Sequence, residues 1–95
     1  MKNSFFWVIS YDIKDNKRRN SIAQELKNHG KRVQYSVFEC LLPNEKALKL
    51  IKKIERLIDS KQDSIRYYKL CETCRSKIMI LGKGKITEDK DVYIL

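Results

Sequence analysis

Apolar and polar positions alternate along the chain in two distinct ways, and each predicts its own kind of element. Phe5 to Asp12 reads FFWVISYD, and aromatic and β-branched residues at this density mark a strand. In an extended chain Phe6, Val8, Ser10 and Asp12 share one face, while Phe5, Trp7, Ile9 and Tyr11 share the other. Both faces stay apolar until the end, which predicts a strand covered on both sides. Asp12 arrives where the chain leaves the sheet. Lys14 to Arg19 form a polar connection in which Asp15 or Asn16 can cap a helix. That helix is expected from about Asn16 to Asn28, burying Ile22, Ala23 and Leu26, with Gly30 as its C-terminal stop. Arg32 to Leu42 is β-like again, as one long strand or two short ones broken near Tyr35-Ser36.

The clearest helical period runs from about Asn44 to Asp59, behind a Pro43-Asn44 start. Ala47, Leu50, Ile51, Ile54, Leu57 and Ile58 form its apolar stripe. Lys49, Lys52, Lys53 and Arg56 gather opposite, a pattern that suits a solvated face or contact with phosphate. Ser64 to Leu70 reads as a strand, Cys71 to Arg75 as a turn, and Lys77 to Leu81 as a further short strand. Gly82 to Lys85 is flexible and basic, and Val92 to Leu95 suits a last short strand. The order β-α-β(β)-α-β is most economically one sheet with two helices on one face. The expected fold is therefore α+β, a ferredoxin-like βαββαβ sandwich over residues 1–82, with a short C-terminal β extension over 83–95. Many functions share that fold, so function has to be read from a site.

Composition narrows the partners. Ninety-five residues suit one domain. Lys and Arg number 21 against 12 Asp and Glu, a net charge of +9, and such a field favours a polyanion. No stretch approaches the length of a membrane span, and five apolar residues after Met1-Lys2-Asn3-Ser4 do not make a signal peptide. A cytoplasmic protein without a membrane partner is expected. Three cysteines, an odd count, argue against a disulfide framework.

Asp12 is the first candidate for chemistry. A carboxylate ending an apolar strand is costly unless it is hydrogen-bonded, exposed or bound to a cation, and its oxygens suit Mg²⁺ or Mn²⁺. One carboxylate is a poor metal site, but a two-fold axis near Asp12 would supply two. A turn-forming or capping Asp12 is the plainer alternative. Arg18, Arg19 and Arg32 could neutralise phosphate or simply keep the surface soluble. Cys71-Glu72-Thr73-Cys74 is half a zinc knuckle; only Cys40 and His29 remain to complete it, and a redox dithiol or a tight turn also fits. No Walker-type loop and no nucleophile elbow occurs, and a single histidine leaves no His-based triad.

Several segments together resemble CRISPR-associated family two, the small subunit of the CRISPR spacer-acquisition complex. They are the apolar strand ending in Tyr11-Asp12-Ile13, the Arg-containing helix with Gly30, and above all Arg32-Val33-Gln34-Tyr35-Ser36-Val37-Phe38-Glu39. Tyr68-Lys69-Leu70-Cys71 with Cys74 fits that family's later half, so the resemblance covers roughly residues 5 to 82. It implies a ferredoxin-like homodimer in which Asp12 of each subunit lines the interface and holds Mg²⁺ or Mn²⁺. It places Arg19 and Arg32 against nucleic acid, and Tyr11 and Phe38 beside the site. It further implies cleavage of RNA or DNA, or a scaffold for duplex DNA that bridges integrase subunits of CRISPR-associated family one through residues near Glu88 to Leu95. A base-stacking RNA-binding domain is the unrelated alternative; exposed rings at Trp7 and Tyr67 would favour it.

Overall fold

The computed structural model describes residues 4–71 and 76–80. The elements follow the order β1 (Ser4–Asp12), α1 (Asn16–Lys27), β2 (Gly30–Gln34), β3 (Val37–Pro43), α2 (Asn44–Leu57) and β4 (Ser64–Leu70). The strands form one antiparallel sheet in the order β2-β3-β1-β4. Together with the two helices this is the ferredoxin-like α+β arrangement.

The break near Tyr35-Ser36 is present, so the second β run is two strands joined by a tight turn. Between Arg32 and Gln34 the β2–β3 register shifts, as at a bulge. Asp15 caps α1, its carboxylate accepting the Arg18 N–H at 2.9 Å. At the other end the helix closes through Asn28, whose N–H donates to Glu25 O at 3.2 Å, and His29, whose N–H donates to Leu26 O at 3.0 Å. Gly30 is therefore not the stop. It already belongs to β2, opposite Cys40.

Both helices lie on one face of the sheet. Ile22, Ala23 and Leu26 of α1 and Ala47, Leu50 and Ile54 of α2 pack on Ile9, Tyr11, Phe38, Cys40 and Leu42. α2 ends earlier than its period suggests, because Ile58 turns extended at ψ 162°. The opposite face carries Phe6, Val8 and Ser10 of β1, with Val37, Glu39 and Leu41 facing them from β3 and Arg66, Tyr68 and Leu70 from β4. Among the described residues no helix covers this face, so the described helices cover β1 on one side only, although Phe6 is buried.

Described residues 77–80 contain no strand, contrary to the expected strand from Lys77. The 83–95 extension and the Glu88 to Leu95 contact lie outside the described residues. No described helix is long and apolar enough to cross a membrane.

Candidate functional site

β1 carries Asp12 to its last position, where the alternation of the strand puts it on the same face as Ser10, Val8 and Phe6. That is the face that no described helix covers. Asp12 is exposed, and no ion pair among the described residues engages it. Ser64 stands opposite it on β4, and Arg66 stands opposite Ser10. Arg66 is thus a diagonal neighbour of Asp12, within reach of a long side chain. Its Nη1 lies 3.5 Å from the Tyr68 hydroxyl. Sequence reasoning passed over Arg66, because only the β1–β4 register brings it to Asp12.

Tyr11 faces the other way. Its ring stacks on Phe38 with centroids 6.3 Å apart, its N–H donates to Ser36 O at 3.1 Å, and its hydroxyl lies 3.5 Å from Tyr35 O. The β2–β3 turn is thereby fastened to the end of β1. Phe38 is fully buried among the helices and pairs in register with Ile9 and with Arg32. It therefore lies on the opposite side of the sheet from the Asp12 carboxylate. Arg32 is exposed, with its guanidinium carbon 5.3 Å from the Phe38 ring centroid.

The two neighbouring arginines of α1 have different partners. Arg19 turns back over the β1–α1 connection, donating from Nη1 to Ile13 O at 2.9 Å and from Nη2 to the Asn16 side chain. Arg18 forks onto Asp63, with Nε at 2.8 Å from Oδ2 and Nη2 at 3.2 Å from Oδ1. This guanidinium, followed by the Asp59 N–H, holds the Asp63 carboxyl below the usual carboxylate range.

Trp7 and Tyr67 pack half-buried against the core on the helix side, so neither offers an open ring on the bare face. Burial pushes the Cys40 thiol up to about 12, which leaves it an inert core side chain. Cys71 is exposed rather than buried in a turn, and Cys74 lies outside the described residues.

Among the described residues no three His, Cys, Asp or Glu side chains come together in a way that could hold a metal ion. Mg²⁺ is commonly held by only one or two carboxylates, with water and phosphate completing its shell. An unpaired, exposed Asp12 fits half of such a set, and a second copy could supply the other half.

Fold and site define a small ferredoxin-like domain with an exposed acid at the end of a sheet face that no described helix covers. The chain belongs to the Cas2 family of CRISPR-associated proteins, whose family model, described as CRISPR associated protein Cas2, matches residues 5–78. A Chloroflexus aurantiacus relative named CRISPR-associated endoribonuclease Cas2 3 is 43% identical, the match covering 95% of this chain and 97% of that protein. The crystal structure of a hypothetical protein from Thermus thermophilus superposes with a TM-score of 0.78 at 36% identity, covering 90% of this chain and 99% of that one. A chain of a partial Cas6-RT-Cas1–Cas2 complex matches with a TM-score of 0.71 at 26% identity, covering 81% of this chain and 90% of that one.

Proposed function

We propose that this protein is a CRISPR adaptation subunit that works as a homodimer, binds duplex nucleic acid and bridges integrase subunits of the Cas1 type. We further propose that paired Asp12 residues make it an Mg²⁺- or Mn²⁺-dependent endonuclease for RNA or DNA. The observation that carries this reading is the exposed Asp12, without an ion pair among the described residues, at the end of an apolar sheet face that no described helix covers. A second copy of the same face buries the apolar strip and sets two carboxylates near one axis.

Each residue has a part in this reading. Asp12 from each subunit would hold the ion, which when bound neutralises the phosphate and lowers the pKa of a coordinated water. Arg32 and Arg19 balance charge on the phosphate backbone. Tyr11 and Phe38 act through packing, by fixing the strand end that presents Asp12. The net charge of +9 supports sequence-independent backbone binding that weakens with salt. The names of the matched relative and complex, endoribonuclease and Cas1–Cas2, support the activity and the partner. A purely architectural adaptor is the second reading, favoured by the lack of a complete ligand set among the described residues of one chain.

Cleavage of labelled RNA and duplex DNA by wild type and Asp12→Ala, with and without Mg²⁺ or Mn²⁺, separates the two. Metal-dependent cutting that Asp12→Ala abolishes is the expected result. Cutting that survives the substitution would refute the catalytic assignment, and duplex binding without any cutting would favour the adaptor.

A further inference from the structure

Asp12 is followed by a three-residue connection that is bonded on every side. We propose that Asp63 is a positioning residue for the Asp12 site, and that Arg18 serves as its partner rather than as a nucleic-acid contact. This rests on the reading of Asp12 as the metal-holding residue.

Asp63 is the buried charged side chain among the described residues, at 8% exposure. A buried carboxylate persists only when its oxygens are bonded, and here three donors converge on it. Arg18 supplies two of them, through Nε and Nη2. The Asp59 N–H supplies the third, donating to Oδ2 at 2.9 Å. One side chain thus ties the α2–β4 loop to the first turn of helix α1, which follows the connection after Asp12.

The next residue, Ser64, stands opposite Asp12 in the β1–β4 pairing. Asp63 therefore holds the start of the strand that flanks Asp12 and, through Arg18, the helix that follows it. Arg19 completes the clamp from the other side of the turn, through Ile13 O. Outer-shell groups of this kind orient the ligands of a metal and commonly change affinity by about 10–100-fold. Arg18 gives Nε and one Nη2 N–H to Asp63, and its charge is balanced there, which weakens its attraction for a phosphate.

Mn²⁺ binding to the full-length protein, followed by electron paramagnetic resonance, tests this without relying on turnover. Asp63→Asn and Arg18→Gln are compared with wild type and Asp12→Ala, each below its own melting temperature. The expected result is a loss of about 10–100-fold in Mn²⁺ affinity for Asp63→Asn, and a smaller loss in the same direction for Arg18→Gln. If Asp63→Asn does not fold, the Arg18→Gln titration alone decides.

Salt dependence checks the second half. Arg18→Gln should leave the slope of log K against log salt for duplex DNA unchanged, whereas loss of a phosphate contact lowers it by about one. Wild-type Mn²⁺ affinity in both variants, or a slope lowered by about one in Arg18→Gln, would overturn the inference alone. A wild type that binds no Mn²⁺ would overturn the Asp12 reading, and the inference with it.

Discussion

Asp12 and Asp63 show one residue type in two opposite settings, one open to solvent and one built into the fold. Asp12 stands exposed at a strand end, whereas Asp63 is buried and bonded by Arg18 and the Asp59 N–H. The Arg18 guanidinium, with the Asp59 N–H next in weight, keeps the Asp63 carboxyl below its ordinary range. A group lowered in this way contributes stability that is complete above the unfolded carboxylate pKa and lost as pH falls through the folded value. The urea midpoint should therefore fall on acidification below the usual carboxylate range, and Asp63→Asn should show a shallower fall. An acid limb identical in the two proteins would contradict the role given to this pair. Asp12 and the nearby arginines were legible in the sequence because a lone acid after an apolar run, followed by Arg18 and Arg19, is a local pattern. The Asp63 clamp was not, since it joins residues 45 apart. The face of Phe38 was equally hidden, because it depends on the pairing of β3 with β1.

At the scale of elements, local periodicity carried most of the fold. α1, α2 and β4 follow from spacing and capping chemistry, whereas the pattern of Arg32 to Leu42 suits one strand as well as two. Long-range contact decided the rest, and Gly30 shows why. A glycine after a helix suggests a stop, but here it lets β2 approach β3. A Cβ at this position would lie 2.4 Å from Cys40 Sγ and 2.4 Å from Glu39 O. Gly30→Ala should destabilise the protein by about 1–3 kcal/mol, the usual cost of overpacking. Cys40→Ala in the same chain should restore only part of this, since the Glu39 carbonyl stays in place. Denaturant unfolding of the single and double variants reads both values, and full recovery in the double variant would show that the sulfur alone sets the limit.

The whole molecule is organised by its two unlike faces. One sheet face carries both helices, and the other leaves Val8, Val37, Leu41 and Leu70 only half-buried beside an exposed Tyr68. A small domain gains by covering such a strip with a second copy. Leu41→Glu should leave the helix-side core intact and shift the protein to monomers, as sedimentation would record. A dimer unaffected by the substitution would place the interface elsewhere. Sequence alone could not separate these faces, because β1 is apolar on both and only the helix positions distinguish them. The net charge of +9 belongs to this scale too, since in the proposed function it would set how a dimer meets nucleic acid rather than how the chain folds.

The shared metal site is the central claim, and a Mn²⁺ titration of the purified wild-type protein at known chain concentration tests it most directly. Two Asp12 carboxylates on one axis predict saturation at one ion for every two chains, with binding lost in Asp12→Ala. Saturation at one ion per chain, or undiminished binding by Asp12→Ala, would contradict a site built from the paired Asp12 residues.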